Sequence, residues 1–165
     1  MGMEIERKFL VYNCIGQSAL QNGVDISQGY VKTNGITMRT RITEYEGKKE
    51  AVLTIKKKLK GFSRLEYEYP IPLEDANDML DKLCRGKVIR KTRYKYQYYD
   101  HVWEIDCFKD KYSGLIIAEI ELKSEEEEFK KPVWIGEEVT YNKLYTNEMM
   151  YRRRYNARDI YYSLV

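Results

Sequence analysis

Strand-length stretches of this chain alternate apolar and charged side chains, and the charges come in pairs two residues apart: Glu4/Glu6, Arg39/Arg41, Glu66/Glu68, Lys91/Arg93, Glu104/Asp106 and Glu119/Glu121. In an extended strand, residues two apart share a face and their neighbours take the other. Glu4, Glu6 and Lys8 therefore line one face of the first strand, while Ile5 and Phe9 line its reverse. The same device returns at Thr37–Thr43, Ala51–Lys56, Ser63–Ile71, Val88–Tyr98, His101–Phe108 and Leu115–Leu122. A period of two sustained over so much of the chain predicts an antiparallel sheet with few helices, an α+β protein. The 16 tyrosines suit such a sheet, since Tyr favours strands and half-wet surfaces.

Helical spacing is rare. Leu73, Ala76, Leu80 and Leu83 follow Pro70 and Pro72, which predicts a helix ending near Gly86. Ser124–Glu128 reads as an acidic helix start, and Asn147–Ile160 as a last helix rich in Arg and Tyr. Glu44–Lys48 predicts a hairpin turn at Gly47. Tyr99-Asp100-His101 predicts another, with His101, the sole histidine, exposed at its tip.

Pattern alone leaves the charged face open to two readings. It is either the solvated side of a sheet laced with cross-strand ion pairs, each worth roughly 0.2–1 kcal/mol, or the lining of an inward-facing polar lumen. In the second case acids, bases, water and metal ions must compensate one another. Such a lumen suits a polyanion, with Arg and Lys on its oxygens and carboxylates holding bridging divalent ions.

Composition narrows the partners. Lys+Arg 29 against Asp+Glu 26 leaves a net +3, too little basic excess for a dedicated nucleic-acid binder. Cys14, Cys84 and Cys107 have no paired spacing and are expected as plain thiols in a reducing, cytoplasmic setting. No apolar run approaches the roughly 20 residues of a membrane span. The lysines from Lys56 to Lys60 read as a solvated loop beyond Lys56. Trp103 and Trp134 read as packing residues.

Taken in order, the motifs resemble those of the CYTH superfamily, the triphosphate tunnel metalloenzymes. The resemblance rests on Glu4-x-Glu6-x-Lys8, Gln28-Gly29-Tyr30, Arg39-x-Arg41, Leu53-Thr54-Ile55-Lys56 and Ser63-Arg64-x-Glu66-x-Glu68. It continues through Lys91-Thr92-Arg93-Tyr94, Glu104-x-Asp106, Ala118-Glu119-x-Glu121, and Glu138-Val139-Thr140 with Tyr145-x-Asn147. It spans residues 3 to 150 of what is expected to be one domain over 1–165, leaving a Tyr-rich extension at 151–165.

The resemblance implies an eight-stranded antiparallel β-barrel, a tunnel with a charged lumen and a few helices packed outside. Glu4, Glu6, Asp106, Glu119 and Glu121 would bind Mg²⁺ or Mn²⁺, with Glu66 and Glu68 as further candidates. Lys8, Arg39, Arg41, Lys56, Lys91 and Arg93 would hold phosphates, with Arg64 at the margin and Glu104 given no role of its own; Glu4, Glu6 and Lys8 would carry catalysis. The implied activity is metal-dependent hydrolysis of inorganic tripolyphosphate to pyrophosphate and phosphate, by a monomer or homodimer without nucleic-acid or membrane partners. Alternatives are a class IV adenylate cyclase, a thiamine triphosphatase and a non-catalytic polyphosphate- or nucleotide-binding module. No Gly-rich Walker loop supports a competing phosphate chemistry.

Overall fold

The computed structural model describes residues 5–11, 15–33, 35–58, 64–84 and 87–152. The described residues form nine strands: β1 (Ile5–Val11), β2 (Val24–Thr33), β3 (Ile36–Tyr45), β4 (Lys48–Lys58), β5 (Arg64–Pro70), β6 (Ile89–Tyr98), β7 (His101–Phe108), β8 (Ile116–Leu122) and β9 (Ile135–Glu138). They make one antiparallel sheet in the order β5-β4-β3-β2-β6-β7-β8-β1-β9. The expected architecture needs correction here. The sheet has nine strands rather than eight, and among the described residues no pairing joins β5 to β9 into a closed barrel. The extra strand is β9, four residues long and too short for a period-two signal.

Cross-strand register confirms the face assignment. Opposed residues in an antiparallel pair lie on the same face, and the pairs include Lys8↔Glu119, Glu104↔Glu119, Arg93↔Asp106, Gln28↔Arg41, Arg39↔Thr54 and Thr54↔Glu68. One face therefore carries the described members of all the two-apart charged pairs read from the sequence, from Glu6 on β1 to Glu66 and Glu68 on β5. The sheet curls toward that face. On it Leu10 of β1 and Tyr30 of β2, four strand spacings and about 19 Å apart in a flat sheet, join the same apolar cluster.

The convex face is the apolar one, and it is covered in two places. Phe9, Trp103, Ile105, Ala118 and Ile120 pack with Trp134 and Phe129. Ile42 and Ala51 pack under Ala76, Leu80 and Cys84 of a helical segment. That segment is α1 (Leu73–Asp78), continued by a π-turn over Met79–Leu83. A third cluster sits at one end of the concave face, where the charged rows give way to Leu10, Ile89, Phe108 and Ile117. Tyr112, Tyr145 and Met150 cover it, the last from α2 (Asn147–Arg152). The concave face is thus a trough with an apolar plug at one end.

Local expectations fared unevenly. The hairpin at Glu46-Gly47 forms with φ of 49° and 77°, the left-handed pair that suits the twist of its strands. Ser124–Glu128 forms no helix: Glu127 instead turns back to accept from the Lys123 N–H and to meet His101 at 3.0 Å. His101 is accordingly not an exposed tip residue; it opens β7 and is pinned by that carboxylate. Cys84 is buried and Cys107 half-buried, both as free thiols, while Cys14 lies outside the described residues. Trp103 and Trp134 are core residues. The expected helix from Asn147 is described only as far as Arg152. Among the described residues, no helix is long and apolar enough to cross a membrane.

Candidate active site

The trough is divided by sign. Its acidic half lies on β1, β8 and β7, where Lys8 Nζ donates to Glu6 Oε1 at 2.7 Å and also to Glu119. Arg93 reaches across from β6: its Nε and Nη2 take the two oxygens of Asp106, each at 2.7 Å, Nη2 also reaches Glu119 at 2.9 Å, and Nη1 binds Glu104. Bidentate geometry of this kind is strong and directional. Lys91 lies beneath Asp106, paired with it and with no exposed surface. Glu121 stands exposed at the rim, opposite Glu6 in register.

Charge crowding shows in the protonation preferences. Burial alone would raise the Glu119 carboxyl, but Lys8, Lys91 and Arg93 outweigh it and hold the group down to about 2. Glu6 goes the other way. Its side chain keeps 44% of its surface, yet the carboxyl is packed into the row, and burial together with the adjacent Glu119 pushes it up despite Lys8. These two neighbouring carboxylates, one resisting ionisation, share the Lys8 ammonium and would gain from a second cation beside it. The donors are all carboxylate oxygens, the set that suits a hard ion such as Mg²⁺ or Mn²⁺. Among the described residues no three acidic groups already converge as a formed metal cage.

The basic half lies on β2, β3 and β4. Arg39 Nη2 donates to Thr54 and Glu68, both at 3.0 Å, and Thr54 also donates to Glu68 at 2.8 Å. Lys56 pairs with Glu66 at 2.8 Å. The Nε of Arg39 is buried with no hydrogen-bond partner. Arg41 has no carboxylate partner among the described residues; its Nε donates to the neutral amide oxygen of Gln28 at 3.0 Å. Burial and the neighbouring cations Arg39 and Arg93 push its pKa down to about 10. A guanidinium does not release its proton in a protein, so its burial beside those cations is a cost that a bound anion would offset.

Most of the residues expected from the sequence thus share one face. Glu4 lies outside the described residues, and for Arg64 only the backbone, on β5, is described. The polar residues that complete the face were not singled out as site residues from sequence: Gln28 and Tyr30 on β2 and Thr54 on β4. Carrying the period of two from Arg39/Arg41 into the neighbouring strands would have found them. Thr140 could not have been found that way: its Oγ1 accepts from the Lys8 backbone N–H at 3.0 Å from outside any regular strand.

A CYTH domain model matches residues 2–155. The chain belongs to the CYTH family. Two relatives bear out that membership at useful identity. An inorganic triphosphatase of Acetivibrio thermocellus is 44% identical over 156 residues, covering 94% of this chain and 97% of that one. An inorganic triphosphatase of Nitrosomonas europaea is 35% identical over 150 residues, covering 89% and 95%. The crystal structure of an inorganic triphosphatase superposes with TM-score 0.68 at 32% identity, covering 94% of this CYTH chain and 99% of its own. A putative adenylate cyclase of Bacillus halodurans, at TM-score 0.50 and 16% identity over 76% and 83% of the two chains, shares the fold alone.

Proposed function

We propose that this CYTH protein hydrolyses inorganic tripolyphosphate to pyrophosphate and phosphate. The observation that carries the reading is the guanidinium of Arg41, which has no carboxylate partner among the described residues, together with the orphaned Nε of Arg39, on the same face as a row of carboxylates. A cation site and an anion site on opposite walls are what a metal–triphosphate complex requires. The inorganic triphosphatases among its relatives support that substrate over a nucleotide.

Arg39 and Arg41 would take phosphate oxygens on the basic wall, with Lys56, Arg93 and Lys8 positioned to exchange part of their carboxylate contacts for the substrate. Glu6, Glu119 and Glu121, with Glu4 ahead of them on the chain, would hold Mg²⁺ or Mn²⁺, with Glu66 and Glu68 as further acids, while Asp106, both oxygens taken by Lys91 and Arg93, would serve as their anchor. Such an ion, when bound, neutralises phosphoryl oxygens and orients the attacking water. Lys91 acts from behind, holding Asp106, which in turn fixes Arg93. Lys8, between Glu6 and Glu119, carries a proton made harder to lose: burial opposes its charge, but the two carboxylates prevail. It stays cationic toward the oxygen on which charge develops. The curl of the sheet supports a tunnel closing around the anion, with β5 and the β1–β9 edge as its approaching walls.

Incubation with Mg²⁺ or Mn²⁺ and tripolyphosphate, ATP or thiamine triphosphate, reading phosphate and cyclic AMP, tests the reading. Phosphate release from tripolyphosphate is expected. Cyclic AMP from ATP with tripolyphosphate untouched would make the protein a cyclase, and binding without product would make it a capture module.

A further inference from the structure

We infer that Gln28 is the positioning residue of Arg41, holding the anion-binding guanidinium in place without cancelling its charge. The inference rests on the tripolyphosphate reading above and adds a residue to it. Gln28 has no exposed surface, although it is polar and sits mid-strand on the trough face, directly opposite Arg41. Its neighbour Gly29 explains why β2 cannot shift. A Cβ there would meet Cys84 Sγ at 2.6 Å and Leu80 at 3.0 Å, so the backbone is seated against the segment after α1 and its preceding side chain is aimed inward.

The hydrogen bonds fix the orientation of the amide. A guanidinium only donates, so the Gln28 atom at 3.0 Å from Arg41 Nε must be the oxygen. The Gln28 nitrogen then donates to the Tyr30 hydroxyl oxygen at 2.9 Å. With Nε engaged, the guanidinium is tied to β2, and neither of its Nη groups is spent on a carboxylate among the described residues.

What distinguishes Gln28 is its neutrality. Among the described residues, Lys8, Arg39, Lys56, Lys91 and Arg93 on this face each have a carboxylate partner. Arg41 has an amide instead. A carboxylate at position 28 would orient Arg41 equally well and pre-empt the phosphate; an amide orients it and leaves the positive charge for the substrate.

The test takes the full chain as wild type, Gln28→Leu, Gln28→Glu, Arg41→Ala and the Gln28→Leu/Arg41→Ala pair, each with its melting temperature. Two signals are read: the ¹⁵N–¹H resonance of the Arg41 Nε–H group, and the KM and kcat for tripolyphosphate with Mg²⁺. In Gln28→Leu the Nε–H signal should lose its protection from exchange and KM should rise about tenfold, with less change in kcat. In the Arg41→Ala background the same Leu substitution should cost nothing further. Gln28→Glu should keep the Nε–H signal yet raise KM at least as much. An unchanged Nε–H signal and KM in Gln28→Leu would overturn the inference. So would an equal effect with and without Arg41, or loss of the fold in both Gln28 variants. If the wild type leaves tripolyphosphate untouched, the substrate reading fails, while the Nε–H signal still decides whether Gln28 holds Arg41.

Discussion

At the scale of single residues, the trough separates side chains that hold the fold from side chains held ready for a ligand. Asp106 is of the first kind. It is 1% exposed and takes both Lys91 and Arg93, so Asp106→Asn would leave a wholly buried ammonium without its contacting carboxylate. Breaking a buried pair costs about 3–5 kcal/mol, and the melting temperature should fall sharply. Arg41 is of the second kind. Arg41→Ala removes a charge that its surroundings disfavour, so stability should hold or rise while KM for tripolyphosphate climbs tenfold or more, given about 1.5–3 kcal/mol for hydrogen bonds to charged groups. Loss of stability without loss of affinity would reverse that assignment. Glu6 adds a pH dependence. Because its carboxyl is pushed up, it keeps its proton to a higher pH than an ordinary carboxylate, and a divalent ion must displace that proton. Calorimetry should therefore show Mg²⁺ affinity falling, and proton release growing, as pH drops from about 8 toward about 5. Equal affinity across that range would remove Glu6 from the metal site.

At the scale of elements, what was legible in the sequence followed from repetition. The faces of β1, β3, β4, β5, β6, β7 and β8 could be read because each repeats a period of two for several residues, and the registers place all their charged pairs together. β9 was missed because four residues hold too few repeats, and its pairing to β1 is decided by tertiary contact. The Ser124–Glu128 helix failed for a related reason. Glu127 there finds better partners in the Lys123 N–H and His101 than a lone helical turn offers. The helix after Pro72 was placed correctly, but its π-turn was not legible, since no local signal marks it. The seat of β2 against this segment is testable. Gly29→Ala should cost about 1–3 kcal/mol as Cys84 and Leu80 give way, seen as a lower melting temperature; an unchanged one would show that β2 has room to move.

At the scale of the whole molecule, the near balance of 29 basic and 26 acidic residues conceals an arrangement. The two-apart charged pairs of the strands share a concave face, backed by two apolar clusters on the convex side and stopped at one end by a third. The order of the motifs made the family legible; that Arg41 meets an amide and no carboxylate among the described residues was not, because cross-strand partners have no local sequence signal. The direct test of the account is the rate of phosphate release from tripolyphosphate with Mg²⁺ by Glu6→Ala, measured against wild type. Glu6 packs no core, so the variant should keep its melting temperature while the rate falls about a hundredfold or more, as expected for a group that holds the ion itself. Full activity in a folded Glu6→Ala protein would mean that this face is only a solvated, ion-paired side of a sheet.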